Sequence, residues 1–206
     1  MSSLPITIVV AHKKSRSEFF EGFCLPSLKA NDPFKIEVMD EEGVPAAQRN
    51  LGQMRVSTPY VFHADDDLIL RADCLKKMLL ALTEYRECAF AYCDFIRVTM
   101  PYAPLHPWAS VMMHRSGEWD RRRIRRESYV DTAALIRRDT FPGFDETPEM
   151  GRFHDWDLFL TMSHRGHKGI WVPELLYHAY NTDVGLSSSQ DYAKALELVK
   201  RKHGLV

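Results

Sequence analysis

A single α/β domain, with a mostly parallel central sheet flanked by helices, is the fold this sequence predicts, and three observations predict it. Short apolar, β-branched runs alternate with segments of helical period, the pattern of a sheet crossed by helices. Acidic residues fall at the ends of two of those runs, at Asp40 and at Asp65-Asp66-Asp67, where open α/β sheets bind their ligands. The length of 206 residues suits one domain with a sizeable core, and 45% hydrophobic with 27% charged residues is an ordinary globular balance.

The elements follow in order. Residues 6–11 read as a strand and 12–17 as a polar loop. Residues 19–29 carry apolar side chains at helical spacing, with a break or helix start demanded by Pro26. A second strand, 34–39, ends at Asp40. Residues 45–56 read as a helix with Pro45 in its first turn and Ala46, Ala47, Leu51 and Met54 along it. A third strand, 60–64, runs into the aspartates. Asp73 is a candidate N-cap for a helix over 74–85, whose Leu75, Met78, Leu79 and Leu82 share a face. Residues 89–98 read as a fourth strand, with Asp94 inside it. Strands over 129–137 and 170–172 and helices over 155–165 and 190–203 complete the pattern.

Residues 99–128 break it. Three prolines, Trp108, Trp119 and the run Arg121-Arg122-Arg123-Ile124-Arg125-Arg126 predict a long irregular connection, poorly ordered without ligand and able to close over donor or acceptor. This divides the domain into a nucleotide- and metal-binding half, 1–98, and an acceptor and catalytic-base half, 99–206. The net charge of -1 supplies no global field toward nucleic acid or membrane. The apolar runs are too short to span a bilayer. Lys13 and Lys14 follow the first apolar stretch, the reverse of a signal peptide. Cys24, Cys74, Cys88 and Cys93 lack metal-type spacing and read as free thiols of a reducing compartment, so a cytoplasmic protein is expected.

The triple aspartate is the most informative feature. Three carboxylates at the end of a buried strand repel one another and cost desolvation energy. Hard divalent cations such as Mg²⁺ or Mn²⁺ take oxygen ligands, often one or two carboxylates plus substrate phosphates. In extended chain Asp65 and Asp67 point to one side and Asp66 to the other, so an Asp-x-Asp pair makes a claw for a metal-diphosphate. A solvated acidic turn is the plain alternative.

Three segments together resemble glycosyltransferase family 2, of the nucleotide-diphospho-sugar or GT-A fold. The first is Ala47-Gln48-Arg49-Asn50-Leu51-Gly52, then Tyr60-Val61-Phe62-His63-Ala64-Asp65-Asp66-Asp67 and Ala72-Asp73-Cys74-Leu75. The second is Asp131-Thr132-Ala133-Ala134-Leu135-Ile136-Arg137-Arg138 with Phe141-Pro142-Gly143-Phe144-Asp145-Glu146. The third is His154-Asp155-Trp156-Asp157-Leu158-Phe159-Leu160, continued by Trp171-Val172-Pro173-Glu174 and Leu176-Tyr177-His178. The resemblance implies an inverting, metal-dependent transfer of a sugar from a nucleotide-diphospho-sugar to an acceptor hydroxyl. It places the catalytic carboxylate at Asp155, where a helix N-terminus suits an acid. A metal on Asp67 would offset charge on the leaving diphosphate, while Asp65 meets the ribose or shares the metal, and Asp66 belongs to the same nucleotide-sugar site. It also implies base contact for Asp40. The chain departs from the pattern between Asp40 and Arg49, where one βα unit is missing; a trimmed nucleotide pocket follows, with uridine recognition the feature affected.

Other residues carry alternatives. Arg49 touches the diphosphate or braces the aspartate loop. Asp94 faces the sugar or ends a strand. His178 is a third metal ligand or a tucked-in surface histidine. Arg122, Arg123, Arg125 and Arg126, with Trp108, Trp119 and Tyr129, form a solvated face or grip a polyanionic acceptor: modified DNA, a glycan or a phosphate-containing polymer. A nucleotidyltransferase on the same fold would need a glycine-rich first loop, and residues 12–17 contain no glycine. A non-catalytic nucleic-acid or glycan-binding module would have no use for Asp65, Asp67 and Asp155 together.

Overall fold

The computed structural model describes residues 3–40, 43–99, 109–181 and 191–205. Eight strands form one sheet: β1 (Leu4–Ala11), β2 (Pro33–Met39), β3 (Tyr60–Asp65), β4 (Leu68–Leu70), β5 (Phe90–Thr99), β6 (Ser110–His114), β7 (Leu135–Arg137) and β8 (Gly169–Asn181). Their order is β2-β1-β3-β7-β5-β8-β4, with β6 paired to β5. The helices are α1 (Ser17–Phe19), α2 (Leu25–Lys29), α3 (Pro45–Gln53), α4 (Cys74–Glu84), α5 (His154–His164) and α6 (Tyr192–His203).

The alternation along β1 explains the layers. Ile6, Ile8 and Val10 meet Phe62, Ala64, Leu28, Leu75 and Met78 on one face. Val9 belongs with Val61, Phe90, Trp156, Phe159 and Val199 to the core on the other. A strand buried on both faces reads as a continuous apolar run, and β1 has that sequence. α1, α2 and α4 cover the first face; α3, α5 and α6 cover the second. Gly52 lets α3 lie against the sheet, because a Cβ there would run into Val9 and Met39.

The α/β domain is as expected, but its sheet is mixed rather than mostly parallel. β1 runs parallel to β2 and β3, and β5 to β8. β7 is antiparallel to β3 and β5, β6 to β5, and β4 to β8. Parallel neighbours need a crossover, usually helical, and the chain supplies one between β1 and β2, between β1 and β3, and between β5 and β8. β7 arrives through an irregular stretch, so no such constraint applies.

Five elements differ from expectation. The helix over 19–29 contains a π-helical turn, Phe20–Cys24, ahead of α2, where Pro26 stands in the first turn and loses no needed N–H. The strand over 129–137 shrinks to β7. β4 was not foreseen. β8 is far longer than 170–172, because the strand continues past Pro173 through two register shifts against β5; a bulge is where a strand tolerates proline. β6 forms within the segment expected to be irregular, and residues 109–128 are not a loose lid. Residues 121–126 form turns that seal the second core. Ile124 is fully buried, its carbonyl accepts from Trp156 Nε1 at 2.6 Å, and Asp120 Oδ1 accepts from the backbone N–H groups of Arg122 and Arg123. The four cysteines are buried free thiols. Among the described residues no helix is long and apolar enough to cross a membrane.

Candidate functional site

Ala11 lies in register with Met39 on one side and with Asp65 on the other. The chain leaving β1 therefore faces the aspartates that end β3, with Asp40 flanking at the end of β2. Residues 12–16 fold over Asp66. His12 Nδ1 and the Lys13 N–H donate to its Oδ2 at 2.9 and 2.7 Å, and Arg16 pairs with its Oδ1 at 2.5 Å. Asp66 is completely buried. Expected among the nucleotide-sugar ligands, it instead fastens the first loop to the end of β3.

Asp65 and Asp67 point the other way, as the period of two requires. Asp65 is 36% exposed and pairs with Arg49, which is 1% exposed. Burial raises the Asp65 pKa, but the Arg49, His154 and Arg16 charges and the Arg49 hydrogen bond together outweigh it and the net shift is downward. Arg49 also donates to His154 Nε2 at 3.0 Å and stacks over Phe144 at 5.3 Å. These contacts give Arg49 a bracing role at the aspartate loop. Asp67 receives Arg16 Nη1 at 2.8 Å. Even so, burial and the neighbouring Asp65 charge push its carboxyl up to about 8.

Asp155 stands in the first turn of α5 and accepts from the Trp156 N–H at 2.7 Å. Burial, then the Asp131 charge, then that of Asp65, push its carboxyl up to about 7. Asp131 precedes β7 and accepts from the Ala133 N–H at 3.0 Å; burial and the Asp65 charge raise its pKa too, with Arg97 and His114 pulling the other way. Asp65, Asp67, Asp131 and Asp155 thus share one field. Asp131 was quoted in the sequence pattern but given no role. The signal was topological: the start of a strand antiparallel to β3 lies at the same sheet edge as the end of β3. His12 and Arg16 were also missed, since only the fold shows what a polar loop touches.

Asp94 turns out to be a fastener. It is 7% exposed, and its Oδ1 accepts from Ser116 N–H and Trp171 Nε1, both at 2.9 Å. Asp40 is exposed and open to a ligand, 3.9 Å from Lys14 Nζ. His178 sits in β8 opposite Ile69 and Ile96, its ring 6.5 Å from Tyr180; the structure does not gather it with Asp65 and Asp67. Trp108 lies outside the described residues. Trp119 packs edge-on against Phe90 at 5.1 Å, as part of the core rather than an acceptor platform. Arg123 lies 4.0 Å over Tyr129 and pairs with Glu127 at 2.5 Å. Arg125 reaches His164 and the Gly204 carbonyl at 3.3 and 3.2 Å. Both are engaged within the fold, whereas Arg122 and Arg126 are exposed and attracted to Asp120.

Among the described residues no three His, Cys, Asp or Glu side chains form a ready-made metal cage. A hard cation held by one or two carboxylates and by substrate phosphates needs no such cage. Asp67 fits that role: its own surroundings leave its charge undercompensated, and Asp65 stands beside it.

Together, the mixed sheet and the helices on its two faces define a single α/β fold with the acids at one sheet edge. The solved structures of S. aureus TarS share that fold. One TarS structure superposes with a TM-score of 0.66 at 14% identity, over 97% of this chain and 39% of that one. TarS 1-349 in complex with UDP gives 0.62 at 14% identity over 87% and 61%, and its complex with UDP-GlcNAc gives 0.62 at 13% over 97% and 66%. The chain therefore spans about two fifths of that TarS chain. No protein-family model and no curated protein sequence matches it.

Proposed function

We propose that this chain is an inverting glycosyltransferase that moves a sugar from a nucleotide-diphospho-sugar to an acceptor hydroxyl. The observation that carries the reading is the position of Asp155. A carboxyl pushed up to about 7 is poised to take a proton near neutral pH, and it shares a field with the Asp-x-Asp pair at the end of β3. The likeness in fold to a protein solved with UDP and UDP-GlcNAc supports the same class of donor.

In this reading Asp155 accepts the acceptor proton as the oxygen attacks the anomeric carbon. Asp67, assisted by Asp65, holds Mg²⁺ or Mn²⁺, which would offset the charge of the leaving diphosphate. Arg49 and His154 hold Asp65 and the start of α5 in place, and Asp66 holds the first loop. Asp40 is left for the nucleotide. Exposed Arg122 and Arg126 stand beside Ile124, whose carbonyl holds Trp156 next to Asp155; a polyanionic acceptor would meet them there.

A donor screen with Mn²⁺ tests this, read by release of free sugar and nucleoside diphosphate. Asp67→Asn is expected to abolish metal-dependent donor binding with the fold intact. With an acceptor found, NMR of the product is expected to show inversion at the anomeric carbon. Retention of configuration, or full turnover in EDTA, defeats the reading.

A further inference from the structure

Among the described residues, Arg16 is the one cation that pairs with two aspartates of the triplet. Its Nη2 lies 2.5 Å from Asp66 Oδ1 and its Nη1 2.8 Å from Asp67 Oδ2, with the side chain 16% exposed. Its Nε is buried without a hydrogen-bond partner. The residue sits in a short 3-10 turn, Lys14–Arg16, whose first residue flanks Asp40. The two contacts differ in kind. Asp66 is enclosed and also held by His12 and the Lys13 N–H, so that half is an anchor. Asp67 receives no other cation within ion-pair distance among the described residues, so that half is exchangeable.

We propose that Arg16 is a charge latch on the donor site: it pairs with Asp67 in the empty protein, yields that carboxylate when a divalent cation arrives, and turns the freed end of its guanidinium to the donor's diphosphate. This rests on the glycosyltransferase reading and adds a residue to it. A guanidinium suits the exchange, because its fork can keep one carboxylate while offering its other nitrogen to a phosphate oxygen. The latch makes the empty site a poor binder of metal alone and a good binder of metal with diphosphate. Binding of the two becomes mutually dependent, as linkage requires of ligands that compete with or recruit the same group.

The test uses the purified chain with Mn²⁺ alone, inorganic pyrophosphate alone, and both, read by calorimetry and by the Mn²⁺ electron paramagnetic resonance signal. Arg16→Gln is expected to bind Mn²⁺ alone about 10-fold more tightly than wild type and Mn²⁺-pyrophosphate about 10-fold more weakly. Arg16→Lys retains one charge but cannot bridge both carboxylates; it is expected to fall between, and it guards against a Gln variant that fails to fold. If Asp67→Asn loses Mn²⁺ while both Arg16 variants bind Mn²⁺ as wild type does, the latch is overturned and the metal reading stands. If Asp67→Asn binds Mn²⁺ as wild type does, the metal reading itself fails and takes the latch with it.

Discussion

Asp155 differs from an ordinary acid in a helix's first turn through its neighbours. Burial and the charges of Asp131 and Asp65 keep its proton on up to about 7, so the transfer rate is expected to rise as pH passes through 7. Asp155→Asn is expected to lower kcat by about 10²–10⁴-fold and to remove that pH dependence, with donor binding kept. A pH-rate series on both proteins checks this; an unchanged profile in the variant assigns the base elsewhere. Arg49 makes a structural counterpart. Arg49→Met leaves Asp65 without its partner, and a loss of about 2–3 kcal/mol in urea unfolding is expected, below the ~3–5 for fully enclosed pairs because Asp65 is 36% exposed. Asp65, Asp67 and Asp155 were legible in the sequence because strand period and helix start fix where their side chains go. The inward turn of Asp66 belonged to the same period. Its partners did not: His12 and Arg16 are fifty or more positions away, and local pattern carries nothing about such pairs.

Among the elements, those with a clear period were legible: β1, β2, β3, β5 and the helices α3, α4 and α5. β4 and β6 were not, and β7 is shorter than its apolar run, since strand pairing is decided by what the neighbours offer. The arginine run shows the difference most plainly. Its composition suggested a solvated or phosphate-gripping face, yet Ile124 in the middle is core, and that one apolar residue docks the whole segment. Its arginines are expected to separate by role. Arg122→Gln with Arg126→Gln is expected to raise acceptor KM several-fold and flatten its salt dependence, leaving donor hydrolysis unchanged. Arg123→Gln is expected to lower stability instead, through the loss of its contacts with Tyr129, Glu127 and Ser116. Equal salt dependence in wild type and the double variant removes the polyanion from the reading. Gly52→Ala is expected to cost about 1–3 kcal/mol, the usual range for overpacking, because Val9 and Met39 are core residues of the sheet that α3 covers; thermal unfolding measures it.

For the whole molecule, the acid cluster sets how stability responds to pH. Asp67, at about 8, and Asp155, at about 7, titrate in the fold well above the ~4 of an unfolded aspartate. Groups raised in this way contribute stability that is complete below the unfolded value and is lost as pH climbs through the folded one. Asp65, held down by Arg49, acts in the opposite sense and weakens the fold only in acid. The melting temperature is therefore expected to fall between pH 6 and pH 9, and Asp67→Asn with Asp155→Asn to flatten that fall. A wild-type melting temperature that holds steady or rises over this range refutes it. Cys24 offers a way to watch the same region move. Its thiol donates to the Asp65 carbonyl at 3.6 Å, and burial pushes its pKa up to about 12. A thiol so held is inert to alkylation until the structure around it opens. Its labelling rate, followed by peptide mass spectrometry, is thus a native clock for the breathing of the donor mouth. Ligands that seal the mouth will slow that clock, whatever chemistry they later undergo.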